Sequence, residues 1–186
     1  MDLALDQRGI GNRWSLATGL AGWGLPPVTH VASHHDWLAR RRAGRIVTQD
    51  GKLQAVYGRW WPHGGNMLQV QWDLLFRTMP VDRCELFFHA PLSCPNFLTL
   101  DYVHSGPATS LSTFYAATLV LDEIAKIKHS AAIVCHVTNQ RISDRLLERW
   151  GWHAHCPNWK GRHFIKRLYG QYAPISAPWR VRLTLD

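Results

Sequence analysis

A long amphipathic helix between two apolar segments is the feature that most constrains how this chain can fold. Across residues 110–128, apolar side chains recur every three to four positions, which is the spacing of a half-buried helix. Apolar runs of strand length lie on either side of it, at 97–103 and 131–138. A strand, a helix and a strand of these lengths predict a right-handed crossover between two parallel strands. Thr109 or Ser110 is the expected N-cap of the helix.

Other apolar segments extend this unit into a mixed sheet. Asp50 and Gly51 stand between two alternating runs, and both tolerate the positive φ of a tight hairpin turn. A second apolar stripe follows the crossover and ends at Gly151, which suits the C′ position of a helix. The remaining strands are predicted at 45–47, 53–61, 68–79, 84–89, 152–156 and 163–169, and a further helix is predicted at 34–42.

Length and composition indicate one folded domain. The 186 residues are 46% hydrophobic and 18% charged, which suits a chain with a core of its own. No apolar run of about 18 residues is present, so no membrane span is expected. Acidic residues near the N-terminus, with no basic segment before an apolar run, argue against a secretory signal and favour a cytoplasmic location. The four cysteines form no C-x-x-C pair and are expected to be reduced.

The net charge of +8 is concentrated toward the two ends of the chain. Residues 1–45 carry +3, residues 46–148 carry −1 and residues 149–186 carry +6. Such a field attracts anions, including nucleotides and nucleic acids. Arginine outnumbers lysine sixteen to five, a bias that fits phosphate recognition but also fits genome composition alone.

One motif narrows the fold further. After the apolar segment 131–138 come Asn139, Ile142, the pair Leu146-Leu147 and then Gly151-Trp152. Together with the crossover and the final hairpin, this motif resembles the GCN5-related N-acetyltransferases. The resemblance implies an α+β fold: a mixed, bent acetyltransferase-like sheet with a crossover helix and a C-terminal hairpin.

The same resemblance divides the chain into three parts. Residues 1–44 are expected to form an irregular or helical N-terminal segment, and residues 45–170 the acetyltransferase-like domain. Residues 171–186 are expected to form a C-terminal tail or an extra strand.

The family binds coenzyme A between two parallel strands that splay apart, where pantetheine bonds the unpaired backbone. The diphosphate lies at the N-terminus of the crossover helix, where free N–H groups and the helix dipole favour an anion. The resemblance therefore implies acetyl-coenzyme A as the cofactor. The residues implied to contact it are Leu100, Tyr102, Val103, Ser105, Gly106, Ala108, Thr109, Ser110 and Asn139.

The chain departs from the family pattern at two places. The family's phosphate loop has Gln or Arg, two residues, Gly, any residue and then Gly or Ala. This chain has only Gly106, Pro107 and Ala108 in that region, and proline has no N–H to offer a phosphate. His104, at the end of the preceding strand, either contacts the diphosphate or lies in the turn. Leu147 stands where many relatives have a tyrosine that protonates the departing thiolate.

Two titratable residues in the strands that flank the implied cofactor are candidates for a general base. Asp101 interrupts an otherwise apolar strand, where a raised pKa would suit it to accept a proton from an amine. The alternative is a hydrogen-bonded or solvent-facing aspartate. His136, in the other strand, is the second candidate, and its alternative is a structural histidine.

The C-terminal hairpin also carries residues of two other kinds of site. One set holds nitrogen and sulfur donors but matches no standard zinc spacing, so no metal is expected. The other set places aromatic rings among basic side chains, which can clamp single-stranded nucleic acid or can simply be core tryptophans with a solvated rim. The donors are His153, His155, Cys156 and His163, and the rings are Trp150, Trp152 and Trp159.

These expectations define two functions. The first is an acyl-coenzyme A-dependent N-acyltransferase that moves an acetyl group to an amine of a small molecule or a protein. The second is a non-catalytic acetyltransferase-fold domain that binds nucleic acid or a protein partner through its basic ends. The first function is favoured, and nucleic acid is the less favoured partner.

Overall fold

The computed structural model of the chain describes residues 27–59, 81–138 and 142–185. The strand predicted at 68–79 and the cofactor contact predicted at Asn139 lie outside the described residues. Seven β-strands and four α-helices form in the described part, which makes the fold α+β. None of these helices is long and apolar enough to cross a bilayer.

The seven strands build one open, mixed sheet. The strands are β1 (Ala43–Gln49), β2 (Lys52–Arg59), β3 (Arg83–His89), β4 (Phe97–Ser105), β5 (Ala132–Val137), β6 (His153–His155) and β7 (Arg162–Arg167). The helices are α1 (His35–Arg40), α2 (Leu111–Ile127), α3 (Asp144–Arg149) and α4 (Ala177–Arg182). The strand order is β2-β1-β3-β4-β5-β7-β6. The pairs are antiparallel except β4 with β5, which are parallel as the crossover predicts.

The β1–β2 hairpin turns at Asp50 and Gly51, as predicted. Both residues have positive φ, 52° and 69°, so the turn uses two residue types that adopt the left-handed conformation at low cost. The Gly51 N–H donates to Thr113 Oγ1 at 2.8 Å, and Thr48 Oγ1 donates to the Thr113 carbonyl at 2.9 Å. These bonds fix the first turns of α2 against the hairpin.

Helix α2 supplies the apolar layer over one face of the sheet. Ser110 is its N-cap, as predicted, because its hydroxyl accepts the Thr113 N–H at 3.2 Å. Full burial of an aliphatic side chain contributes about 1.5–3 kcal/mol before chain entropy is counted. This layer therefore accounts for a large part of the domain's stability. The most deeply buried side chains of the core that α2 and the sheet form include Ile46, Leu86, Leu98, Leu121, Ile124 and Ile133.

Helix α3 and the final hairpin follow in the predicted order. Ser143 caps α3, and Gly151, with φ of 83°, ends it. The Gly151 N–H donates to the Glu148 carbonyl at 2.9 Å, and the Trp152 N–H donates to the Leu147 carbonyl at 3.0 Å. This Schellman motif turns the chain sharply and brings Trp152 into the core just before β6.

Helix α1 is shorter than the helix predicted at 34–42. It ends at Arg40, because Arg41 is extended with φ of −83° and ψ of 127°. Lys128 Nζ donates to the carbonyls of Ala39 and Arg41 at 2.9 and 2.7 Å. A cation at a helix C-terminus satisfies carbonyls that the helix leaves open. The end of α1 is thus set by a residue far away in sequence.

The last segment, expected at 171–186 as a tail or an extra strand, contains a short helix. Residues Ala177–Arg182 form α4, which is too short to show the apolar spacing that indicates a helix. Pro178 lies in the first turn, where its missing N–H costs no helix hydrogen bond. Leu183 and Leu185 then return to the core and anchor the segment.

Candidate functional site

The parallel strands β4 and β5 pair over only part of their length. Their ladder has four pairs, and the last one joins Leu100 to Cys135. Beyond it, β4 continues beside β3 and β5 continues beside β7. No strand pairing joins residues 101–105 to residues 136–137, both of which are described. This interval, in which the two strands are not laddered to each other, is the β4–β5 gap.

A β-bulge at Asp101 lies at the mouth of the β4–β5 gap. The β3–β4 register pairs Phe88 with Leu100 and Phe87 with Tyr102, so Asp101 is an extra residue of β4. A bulge bends its strand and redirects a side chain. Because the bulge coincides with the end of the β4–β5 ladder, it supplies a local reason why the pairing stops there.

The bulged Asp101 is bonded to His89, at the end of β3. Nδ1 of His89 lies 2.7 and 2.8 Å from the two carboxylate oxygens. Thr99 is opposite His89, and Asp101 follows two residues along β4, so both side chains lie on one face of the sheet. A carboxylate only accepts, so Nδ1 donates and Nε2 is the basic nitrogen of the ring. The side chains are 16% and 35% exposed for His89 and Asp101, which leaves the pair accessible to a solute.

The second predicted base, His136, lies on the β5 side of the same mouth. It directly follows the last ladder residue of β5. Its ring stacks on that of His163 in β7, with centroids 4.5 Å apart and planes inclined by 13°. A Cβ at Gly161 would lie 2.3 Å from the His136 ring, so the backbone there packs directly on the imidazole. This environment is typical of a histidine that is held by its neighbours.

Three histidines lie side by side across the last three strands. His136 is paired with His163 and His163 with His155, so all three share one face of the sheet. Despite this row, no three or more His, Cys, Asp or Glu side chains of the described residues are arranged to hold a metal ion. His153 is exposed, and Cys156 lies in the turn after β6 with φ of 50°. The nitrogen and sulfur donors of the hairpin therefore do not converge.

The N-terminus of α2 is bonded by the protein's own side chains. Ser110 donates both its N–H and its hydroxyl to the Asp82 carboxylate, each at 2.7 Å. The Gly106 N–H donates to Thr109 Oγ1 at 2.9 Å, and the Thr109 N–H donates to the Gly106 carbonyl at 3.1 Å. Burial tends to raise the pKa of Asp82, but hydrogen bonds from Ser110 and Thr113 outweigh it and hold the pKa below 3.8. An ionised carboxylate thus occupies the positive end of the helix.

A buried carboxylate lies on the same face of the sheet as His89. Glu85 accepts from Arg83 Nη2 at 2.7 Å and from Arg45 Nη1 at 3.2 Å. The Arg45 guanidinium also lies over the Tyr57 ring, 4.5 Å from its centroid. Because each oxygen of Glu85 is bonded to an arginine, this carboxylate is a structural group rather than a proton acceptor.

The tryptophans of the C-terminal half are mainly core residues. Trp152 is 1% exposed, and the Trp150 ring packs 5.3 Å from that of Phe114. Trp159 is 65% exposed and lies edge-on to His163, with centroids 5.5 Å apart. Single-stranded nucleic acid is usually bound on successive aromatic platforms. One exposed ring of the three does not make such a series.

A small pocket on the α2 face of the sheet is separate from the β4–β5 gap. It is lined in part by Asp122, Lys166, Leu168 and Tyr172. Lys166 Nζ donates to Asp122 Oδ2 at 2.6 Å. Burial raises the pKa of the Asp122 carboxyl above 3.8, and the Lys166 ammonium only partly opposes this. The ion pair in this lining ties β7 to α2.

The sequence-predicted site residues that the structure describes lie along the β4–β5 gap or in the loop that follows β4. Asp101 and His136 lie on the two sides of the gap, and Leu100 forms its closed end. Tyr102 and Val103 follow along the β4 edge, where they pair with β3 on the other side. The loop from Ser105 to Ser110 leads from the open end of the gap to α2, but its N–H groups at positions 106, 109 and 110 are already bonded.

Two residues that shape the site were missed by the sequence. The signal for His89 is the register of the β3–β4 hairpin, which places a strand-end histidine beside residues 99–101. Asp82 gave no local signal, because its partner Ser110 lies 28 positions away. Neither residue belongs to a motif.

Comparisons of the chain with protein-family models, with curated proteins and with solved structures found no match. The resemblance to the GCN5-related N-acetyltransferases therefore depends on the residues from Asn139 to Trp152 and on the order of the predicted elements. Any function must be argued from the geometry of the β4–β5 gap and the groups around it.

Proposed function

We propose that this chain is an N-acyltransferase that moves an acetyl group from a pantetheine thioester such as acetyl-coenzyme A to an amine. Support comes from the β4–β5 ladder, which ends after four pairs although both strands continue. A pantetheine arm carries amides that need hydrogen-bond partners, and the two strand edges along the gap can supply them. In the proposed complex, the arm contacts the backbone of Leu100, Tyr102 and Val103.

His89 is the proposed general base. The bound thioester supplies the acyl group. As the amine nitrogen attacks its carbonyl carbon, a C–N bond forms, the C–S bond breaks, His89 Nε2 accepts the amine proton, and that proton then passes to the departing thiolate. Asp101 acts through His89: its carboxylate accepts Nδ1–H, which fixes the tautomer and stabilises the imidazolium that forms.

One observation carries the proposal. At Asp101 the bulge, the end of the β4–β5 ladder and the bond to His89 coincide. Relief of strain alone does not explain why a His–Asp pair lies beside the end of the ladder. Bulges are frequent next to active sites, where they aim a side chain.

A second candidate function is favoured by a different observation. The Asp82 carboxylate occupies the end of α2 where the diphosphate of coenzyme A would be expected. If no thioester binds, the fold serves as a scaffold, and the basic ends bind nucleic acid or a protein partner.

Thermal melting separates the two candidates. At about 100 times its dissociation constant, acetyl-coenzyme A should stabilise the proposed enzyme by about 2.7 kcal/mol. Adenosine 3′,5′-bisphosphate, which lacks the pantetheine arm, is the matched control and should give no shift. If millimolar acetyl-coenzyme A leaves the melting temperature unchanged while single-stranded RNA binds in a salt-sensitive manner, the transferase proposal is wrong and the second candidate is favoured.

A further inference from the structure

In the proposed site, the two halves of coenzyme A would meet different surroundings. Along the β4–β5 gap, residues 101–105 and 136–137 are not paired with each other. At the loop before α2, the N–H groups of Gly106, Thr109 and Ser110, three of the donors expected to hold the diphosphate, are already bonded. Gly106 N–H is bonded to Thr109, and Pro107 has no N–H at all.

Charge adds to this difference. The Ser110 N–H and hydroxyl both donate to Asp82, and the Ser110 hydroxyl in turn accepts the Thr113 N–H at 3.2 Å. A diphosphate placed here must displace the Asp82 carboxylate or lie beside it. Two anions a few ångströms apart repel each other, and each is satisfied by the same few donors. A diphosphate at this helix end would therefore have to compete with the Asp82 carboxylate for the donors of Ser110.

We propose that this chain recognises the pantetheine arm of its acyl donor and makes no productive contact with the 3′-phosphoadenosine diphosphate of coenzyme A. This inference rests on the proposed function. The substrate class is then an acyl-pantetheine thioester, whatever the arm is attached to. Two sources share this chemistry: coenzyme A itself, and a phosphopantetheine arm on the serine of a carrier protein.

The test compares three donors by titration calorimetry with the wild-type chain: acetyl-pantetheine, acetyl-coenzyme A and acetyl-phosphopantetheine on a carrier protein. Acetyl-coenzyme A should bind within about threefold of acetyl-pantetheine, a difference of less than 1 kcal/mol. Tighter binding of the loaded carrier would assign the donor to a carrier protein, and equal binding would assign it to a small thioester. Both outcomes support recognition by the arm.

A charge variant sharpens the test. Asp82→Asn removes the carboxylate charge and should tighten acetyl-coenzyme A binding by about three- to tenfold, while acetyl-pantetheine binding stays the same. Asp36→Asn is the matched control, because Asp36 is an exposed acid in α1 and should change neither constant. The wild-type comparison needs no variant, so it decides the question even if Asp82→Asn folds poorly.

The outcomes distinguish this inference from the proposed function. If acetyl-coenzyme A binds more than about thirtyfold tighter than acetyl-pantetheine, the nucleotide is recognised and the inference is wrong, although the transferase proposal stands. If none of the three thioesters binds, the proposed function itself is wrong, and the inference is overturned with it.

Discussion

The β4–β5 gap and the N-terminus of α2 are neighbours along the chain but differ in their hydrogen bonding. In the gap, two strands continue past their last common pair, Leu100 with Cys135. At the helix end, the loop bonds itself and Ser110 bonds Asp82. Both places are classed by the resemblance as parts of one cofactor site.

Of these two parts implied by the resemblance, the helix end is bonded within the protein, while the two strands at the gap are not laddered to each other. The Asp82 carboxylate, which is bonded to the N-cap Ser110, stabilises α2 whether or not a ligand is present, because a negative charge is favoured at the positive end of a helix. At the gap, Asp101 is bonded to His89, but no ladder joins residues 101–105 to residues 136–137. The proposed function places a ligand in the gap and none at the self-bonded helix end.

The largest expected effect is on catalysis at the gap. His89→Ala should lower the rate of acetyl transfer by about 10²- to 10⁴-fold, because the general base is lost. Thiol release from acetyl-coenzyme A in the presence of a panel of amines measures it. Added imidazole should restore part of the rate, which a purely structural role would not allow.

The matched control is His35→Gln, an exposed histidine in α1 that should leave the rate unchanged. Asp101→Asn should also slow transfer and should shift the acidic limb of the pH–rate profile, because the carboxylate acts through His89. A His89→Ala variant that retains the wild-type rate would remove the base from the mechanism.

The next effect is on stability at the helix end. Ser110→Ala should lower the free energy of unfolding by about 1–2 kcal/mol, since it removes the cap and one bond to Asp82. Ser143 caps α3, and no acidic partner of this kind is found for it within the described residues. Ser143→Ala should therefore lower the free energy of unfolding by about 0.5–1 kcal/mol. Urea unfolding measures both. Equal losses would mean that Asp82 adds nothing to the cap.

Two buried thiols report separately on the two regions. Burial raises the pKa of Cys135, at the closed end of the gap, to about 12. Burial, with the charges of Glu85 and Asp82, raises the pKa of Cys84 to about 12 as well. Both should be labelled far more slowly at pH 8 than the exposed Cys94, since the thiolate is the reactive form.

Ligand should then separate the two thiols. Acetyl-pantetheine at about ten times its dissociation constant should slow labelling of Cys135 by about tenfold, because the gap must open without ligand for the thiol to react. Labelling of Cys84, which lies in β3 two residues from Asp82, should not change. Peptide mass spectrometry after timed alkylation measures both rates, and equal protection would contradict a ligand confined to the gap.

The smallest effect is the pH dependence of stability. The folded pKa of Asp82 is lowered, so its contribution is present above pH 3.8 and is lost as the pH falls through the folded pKa. Between pH 7 and pH 3 the wild type should therefore lose more stability than Asp82→Asn, by about 0.3–1 kcal/mol. If the free energies of unfolding of the wild type and Asp82→Asn fall in parallel as the pH is lowered, this assignment is wrong.

The parts of the fold that sequence predicted correctly depend on local patterns. The crossover helix shows its apolar spacing over five turns, and the turn at Asp50 and Gly51 needs two residue types that adopt positive φ. Helix α4 was not predicted, because six residues carry too little periodicity.

The same local patterns predicted only part of the candidate site. Asp101 and His136 stand out as polar residues in apolar strands, and the structure places both at the mouth of the gap. The bulge that aligns Asp101 with His89, and the bond from Ser110 to Asp82, join residues remote in sequence. Such contacts follow from register and packing, which a single sequence does not specify.

The most direct test of the gap as a ligand site is amide hydrogen exchange with and without saturating acetyl-pantetheine. Peptides that cover residues 101–105 and 136–137 should exchange more slowly with ligand, because the arm bonds strand edges that the ladder leaves open. The N–H groups of Gly106, Thr109, Ser110 and Thr113, already bonded within the protein, should exchange at the same rate. Unchanged exchange along the gap, in protein that binds the thioester by calorimetry, would contradict the account.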